Sequence, residues 1–297
     1  MAAQAARQAL QEAIVGATET LADAGIDSAR IDAEELAAHL TGVERGLLAF
    51  IVTPNDEFFG RYRDLVAARS RRVPLQHLTG TAPFGPLMLH VGPGVFIPRP
   101  ETEALLEWAL KAVAQRPLPP KAVVADLCTG SGALAVSLAR EWPDATVLAV
   151  DDSNSALAYA RRNAHIYAKD SGLQFVEADV TAPDLLPQLD DRVDLLVANP
   201  PYIPDGAALE PEVAEHDPHH ALFGGPDGMA VVNAIVELAA RWLRPGGRFA
   251  VEHDDTTSAQ TVELLRATGR FDEIVPRHDL AGRPRFVTAT RIDQERR

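Results

Sequence analysis

Beyond residue 120, short continuous apolar runs alternate with stretches of helical period, and this alternation restricts the fold more than any other feature of the chain. The apolar runs fall at 122–127, 146–150, 173–176, 193–198 and 247–251, with helical spacing at about 132–140, 154–168, 228–242 and 257–267. Strands that lack polar alternation are buried on both faces, which a parallel sheet covered by helices on each side provides. Two more strands, near 271–275 and 285–290, are joined by a link too short for a crossover, so they pair antiparallel. The expectation is an α/β chain with a Rossmann-like sheet whose last strand is reversed.

The first part of the chain has another rhythm. Leu10, Ile14, Ala17 and Leu21, then Leu36, Ala37 and Leu40, recur at helical spacing, with Gly25 and Gly42 as stops and Thr53-Pro54-Asn55-Asp56 opening a further helix with Pro54 near its start. Residues 79–96 interleave Gly and Pro with alternating apolar residues, the pattern of a hairpin-like connector. We therefore expect a small helical domain over 1–78, a connector over 79–96 and an α/β domain over 97–297. Arg61, Arg63, Arg69, Arg71 and Arg72 form a basic patch, either a solvated helix face or a contact for an acidic partner or ribosomal RNA.

The chain has 297 residues and a formal charge of −14, the wrong sign for a protein that binds nucleic acid chiefly through phosphate neutralisation. Direct DNA binding is not expected. Its single cysteine, Cys128, cannot form an intramolecular disulfide, the N-terminus lacks a signal-peptide pattern, and no apolar stretch is long enough to span a bilayer. A cytoplasmic protein is expected.

The strand at 122–127 runs into Asp126-Leu127-Cys128-Thr129-Gly130-Ser131-Gly132-Ala133 and then a helix. Glycines at such a turn let the backbone approach a ligand, and the helix amides beyond it favour a polar or anionic group. Asp151 ends the next strand, where a carboxylate can accept both hydroxyls of a ribose. The turn alone fits NAD(P), S-adenosylmethionine or no ligand. Asp126 favours S-adenosylmethionine, because a carboxylate suits a cationic methionine group better than a pyrophosphate.

The strand at 193–198 breaks off at Asn199-Pro200-Pro201-Tyr202, which should open on the same crevice. Two prolines make the segment stiff and rich in acceptors. Asn199 Oδ1 and the Pro200 carbonyl could each accept one hydrogen of a planar NH₂ group while Tyr202 packs on it; the plain alternative is a turn that merely ends a strand. An amide nitrogen is a poor nucleophile, and acceptors on both its hydrogens favour the positive charge that builds as it attacks. With the methyl group already activated by sulfonium, no strong base is required.

Taken together, Pro74-Leu75-Gln76-His77-Leu78-Thr79-Gly80, Phe96-Ile97-Pro98-Arg99-Pro100-Glu101-Thr102-Glu103, the glycine turn, Asn199-Pro200-Pro201-Tyr202-Ile203, Glu210-Pro211 and Ala221-Leu222-Phe223-Gly224-Gly225-Pro226-Asp227-Gly228 resemble the bacterial release-factor N5-glutamine methyltransferases, the PrmC/HemK family, over nearly the whole chain. The resemblance implies a class I S-adenosylmethionine enzyme that methylates the side-chain amide of the glutamine in the Gly-Gly-Gln motif of peptide chain release factors. It further implies that Asp126, Cys128, Thr129, Gly130, Ser131, Gly132, Asp151, Asp179, Val180 and Asn199 contact the cofactor. Asn199, Pro200, Pro201 and Tyr202 would hold the glutamine and carry the transfer. Arg99 and Glu103 are either a charge pair at a helix start or part of a segment packed over the pocket. Cys128 stands where the family pattern has glycine, implying a negative φ or a small strain. A methyltransferase acting on adenine N6 or guanine N2 is the alternative enzyme, since a flipped base also presents a planar NH₂.

His216-Asp217-Pro218-His219-His220 fits no standard zinc spacing, and no metal is expected. The acidic stretch from Asp184 to Asp217 reads as solvated surface or a field that steers a basic partner. Glu252 and His253 could be a polar strand end or a pocket wall.

Overall fold

The computed structural model describes residues 2–50 and 55–293, without the side chains of 2–6. Pro54 lies outside the described residues. The chain divides into two compact units, one of residues 1–81 with 210–216 and one of 82–209 with 217–297.

The first unit is helical, with α1 (Ala2–Asp23), α2 (Ala29–Thr41), α3 (Asp56–Ser70) and α4 (Leu75–Thr79). Leu10, Ile14, Ala17 and Leu21 of α1 are buried together with Leu36 and Ala37 of α2, as the spacing predicts. Gly42 ends α2 at φ +68°, and Asn55 caps α3 by accepting from the Phe58 amide at 2.9 Å. The basic patch is partly spent inside this unit. Arg69 is 4% exposed, with Nε 2.7 Å from Asp32 Oδ2 and Nη1 3.0 Å from Glu212 Oε1. Arg72 binds Glu212 at 3.2 Å, and its Nη1 donates to the Gly25 carbonyl at 2.6 Å. Glu212 belongs to α8 (Pro211–His216), which in sequence follows the strand ending at Ala198.

From Ala82 on, the second unit opens with a hairpin of β1 (Thr81–Phe84), whose first residue is the last of the first unit's 1–81 segment, and β2 (Leu87–His90), followed by α5 (Glu103–Gln115). Then come β3 (Val123–Leu127), α6 (Ala133–Glu141), β4 (Thr146–Asp151), α7 (Asn154–Tyr167), β5 (Gly172–Glu177) and β6 (Val193–Ala198). After α8 follow α9 (Ala230–Trp242), β7 (Leu243–Glu252), α10 (Ser258–Ala267), β8 (Phe271–His278) and β9 (Pro284–Arg291). The sheet order is β5-β4-β3-β6-β7-β9-β8. Its pairings are parallel from β5 to β7 and antiparallel on both sides of β9.

Alternate residues of the central strands supply two cores. Val124, Leu195 and Val197 face the layer of α5 and α6, whereas Ala125, Leu127, Leu196 and Ala198 face α9 and Leu265 of α10. This is why these strands lack polar alternation, with Asp126 and Asp194 as their buried polar interruptions. Among the described residues, no helix is long and apolar enough to cross a membrane.

Candidate active site

Chain order reverses direction across the sheet between β3 and β6, the place where open α/β sheets bind ligands. Register puts Leu127 beside Ala198 on one side and Val150 on the other, so the glycine turn, Asn199 and Asp151 leave the sheet from three adjacent strand ends. The Thr129 amide donates to the Val150 carbonyl at 3.0 Å, holding the turn against β4.

The turn runs through three left-handed residues, Cys128 (φ +58°), Gly130 (+56°) and Gly132 (+83°). Of the two alternatives at Cys128 the structure shows the small strain and not a negative φ: the thiol-bearing residue adopts the glycine conformation, at a cost of about 1 kcal/mol. Burial and the surrounding aspartates push its thiol pKa well up, so the sulfur is not activated as a nucleophile. At Gly132 a Cβ would sit 3.1 Å from Ala160 of α7, whereas at Gly130 it would meet nothing within 4 Å, so the tip of the turn faces open space.

Two carboxylates shape this loop. Asp126, 1% exposed, accepts through Oδ2 from Thr129 Oγ1 at 2.6 Å and from the Ala135 amide at 3.0 Å, stapling the turn to the start of α6. Its Oδ1 is buried without a hydrogen-bond partner, and burial pushes the carboxyl up to about 7. Asp151 accepts from the Gly130 amide at 2.8 Å and the Ser153 amide at 2.9 Å, and burial raises its pKa. Asn163 of α7, which the sequence reading passed over, donates to the carbonyls of Ser131 at 2.9 Å and His90 at 3.0 Å. Beyond β5, Asp179 accepts from the Thr181 amide and hydroxyl, and Val180 is buried.

At the end of β6, Asn199 Nδ2 donates to Thr102 Oγ1 at 3.0 Å, and Thr102 Oγ1 donates to Glu252 Oε2 at 2.8 Å. Tyr202 Oη donates to the other oxygen of the same carboxylate, Oε1, at 2.9 Å. Glu252, 1% exposed at the end of β7, therefore ties both ends of the tetrapeptide together. Burial pushes it up to about 7, against the lowering effect of its two donors and of Arg285. Pro200 is buried, and Pro201 and Tyr202 are half-buried.

The backbone beyond the tetrapeptide is braced by 221–228. The Ile203 amide donates to the Leu222 carbonyl and the Gly224 amide to the Ile203 carbonyl, each at 2.9 Å. A Cβ at Gly224 would lie 2.5 Å from the Pro201 carbonyl oxygen, and one at Gly228 would lie 2.2 Å from that of Tyr202. The glycines of this segment are therefore there to let two backbones touch.

Arg99 pairs with Asp217, Nη2 to Oδ2 at 2.6 Å, and its guanidinium lies 4.9 Å from the Phe96 ring centroid. Its partner is thus not Glu103, the first residue of α5. His219 stacks on Phe223, and His220 Nε2 lies 4.0 Å from Asp152. Nor is the acidic stretch simply solvated: Asp194 is buried, pairs with Arg244 and accepts from the Val123 amide, while Asp190 pairs with Arg241. Among these residues the sequence assigns Thr102 no task within its motif, leaves Glu252 as either a strand end or a pocket wall, and gives no signal at Asn163.

The donor set at the turn fits S-adenosylmethionine. A buried carboxylate oxygen without a partner at Asp126 suits a cation and would repel a pyrophosphate, and Asp151 keeps lone pairs for a diol. Fold and site define a class I S-adenosylmethionine-dependent methyltransferase. Consistent with that fold, the structure of the Thermus thermophilus 16S rRNA N2 G1207 methyltransferase in complex with AdoMet and guanosine aligns with a TM-score of 0.50 at 24% identity, over 71% of this chain and 49% of that one. Residues 12–80 match the PrmC N-terminal domain and residues 102–223 the methyltransferase small domain. A release factor glutamine methyltransferase of Mycobacterium tuberculosis H37Rv is 62% identical over 95% of this chain and 91% of its own. A 4-amino-L-phenylalanine/4-methylamino-L-phenylalanine methyltransferase of Streptomyces pristinaespiralis is 41% identical over 90% of both chains. The chain belongs to the release factor glutamine methyltransferase family.

Proposed function

We propose that this methyltransferase transfers a methyl group from S-adenosylmethionine to the side-chain amide nitrogen of the glutamine in the Gly-Gly-Gln motif of peptide chain release factors, in the cytoplasm. The observation that carries the reading is the commitment of Asn199 Nδ2 to Thr102, which leaves Oδ1 as the branch of that carboxamide able to accept from a substrate NH₂.

Bound at the glycine turn, S-adenosylmethionine supplies an electrophilic methyl on a sulfonium. Asp126, Cys128, Thr129, Gly130, Ser131 and Gly132 would hold its methionine end and Asp151 its ribose, with Asp179 and Val180 at the base. Asn199 Oδ1 and the Pro200 carbonyl would each accept one hydrogen of the glutamine amide, aligning the nitrogen lone pair with the methyl. These bonds strengthen as the nitrogen becomes positive, so they act most in the transition state. The amide proton is acidic once the new N–C bond has formed and leaves to solvent without a general base. Tyr202 would pack on the planar amide. Arg99 and Glu103 lie on the segment that carries Thr102, and their part is to hold that segment over the acceptor.

The S. pristinaespiralis relative supports a second reading, in which a small arylamine presents the planar NH₂. Incubation with methyl-labelled cofactor and purified release factor, rRNA, DNA or 4-amino-L-phenylalanine tests both, with mass spectrometry to place the label. Label on the factor's glutamine supports the proposal. Label confined to nucleic acid or to the arylamine overturns it.

A further inference from the structure

The last strand end of the site holds a carboxylate that the transfer itself does not use. Both oxygens of Glu252 receive a hydrogen bond from a hydroxyl of the site, Tyr202 at 2.9 Å and Thr102 at 2.8 Å. We propose, building on the amide-acceptor reading above, that Glu252 is a positioning residue that sets which way round the Asn199 carboxamide stands, acting through Thr102.

The reasoning is a count of protons. A threonine hydroxyl has one hydrogen to give and lone pairs to receive. In its ionised form, which its two hydroxyl donors and Arg285 favour against the burial that raises it, Glu252 can only accept, so Thr102 then gives its hydrogen to Glu252 and turns lone pairs toward Asn199. Asn199 must then offer Nδ2, as observed at 3.0 Å, and its other branch is oxygen. With a group at position 252 that can itself donate, the Thr102 hydroxyl is free to turn around and donate to Asn199 instead. The carboxamide then turns over and presents NH₂ to the acceptor's NH₂, donor facing donor. The same carboxylate holds the Tyr202 ring by its hydroxyl, so one buried group sets the two side chains that flank the prolines. A buried charge is costly, and here two hydroxyl donors and Arg285 offset part of that cost, whereas a neutral amide cannot accept on both of its branches.

The test compares Glu252→Gln, Thr102→Val, Thr102→Ser and the Glu252→Gln/Thr102→Val pair. For Glu252→Gln and Thr102→Val, kcat should fall about 30- to 100-fold while KM for the acceptor and cofactor Kd stay within about threefold, the pattern of an interaction made chiefly in the transition state. Thr102→Ser, which keeps the hydroxyl, should recover most of the lost turnover. The pair should be no slower than its slower member, because both changes cut one path. Unchanged kcat in Glu252→Gln overturns the proposal, as does a loss of cofactor affinity and Tm in step with kcat, which marks a purely structural group. If wild-type enzyme methylates an arylamine and no release factor, the substrate reading falls and the same ratios taken on the arylamine still decide Glu252. Independently of any acceptor, the side-chain amide NMR signals of Asn199 should shift in Glu252→Gln as they do in Thr102→Val; unshifted signals in Glu252→Gln overturn it.

Discussion

The amide of Gly130 donates to Asp151 Oδ2 at 2.8 Å, so the carboxylate at the end of β4 also fixes the glycine turn at the end of β3. Removing it should loosen the turn and, on the proposed function, delete the ribose acceptor together. Asp151→Ala should weaken cofactor binding by about 10- to 100-fold, the loss of one or two charge-assisted hydrogen bonds, while kcat at saturating cofactor changes much less. Titration calorimetry and steady-state kinetics check the split.

Asn199→Ala should show the reverse. Its kcat should drop about 100-fold or more, the scale of losing one preorganised transition-state contact, with cofactor affinity within about threefold. Equal losses of both quantities in both variants would count against the assignment of the two residues to different ligands.

Much of this was legible in the sequence, and the misses share a cause. Strand and helix alternation foretold the layers, because a strand buried on both faces lacks polar alternation, as at Val193–Ala198, whose one polar residue, Asp194, is itself buried and paired. The reversed strand followed from the short β8–β9 link. Asn199 and Asp151 lie at the ends of β6 and β4, on either side of β3, as their places after apolar runs predict. Glu252 is 50 residues from Tyr202 and 150 from Thr102, and a bond between residues so separated leaves no periodicity to read. Arg61, Arg63 and Arg71 of the basic patch are exposed as a solvated face predicts, whereas the burial of Arg69 was not legible because its partners, Asp32 and Glu212, lie on other segments.

Asp126 gives a pH signature. Its carboxyl is pushed up to about 7, and a bound cation favours its ionised form, so cofactor binding below pH 7 releases a proton. Affinity should rise from pH 5.5 to 8 and the rise should flatten in Asp126→Asn. Calorimetry in buffers of different ionisation enthalpy measures the proton directly; the same number of protons in variant and wild type contradicts the assignment.

Stability of the cofactor-free protein should run the opposite way. Asp126 and Glu252 both have folded values of about 7, above their ordinary 3.8 and 4.5. A raised carboxyl binds its proton more tightly when folded, so its contribution is full below the unfolded value and is lost as pH rises through 7. Tm should therefore decline between pH 5 and 8, and less steeply in the Asp126→Asn/Glu252→Gln variant. An identical slope in that variant assigns the decline to other groups.

Cys128→Gly relieves a positive φ and removes a thiol that burial keeps protonated. Turnover should stay within about threefold and Tm should hold or rise by a few degrees, since the relief of about 1 kcal/mol is partly offset by the entropy of glycine in the unfolded chain. A loss of turnover with cofactor binding intact points to sulfur chemistry.

The most direct measurement is a crystal structure of the enzyme with S-adenosylhomocysteine and a release factor bearing its unmethylated Gly-Gly-Gln segment. The glutamine nitrogen should lie between the cofactor's sulfur and the end of β6, within hydrogen-bond distance of Asn199 Oδ1 and the Pro200 carbonyl, with Asn199 Nδ2 still on Thr102. A glutamine seated elsewhere, or an Asn199 that meets it with Nδ2, contradicts the account.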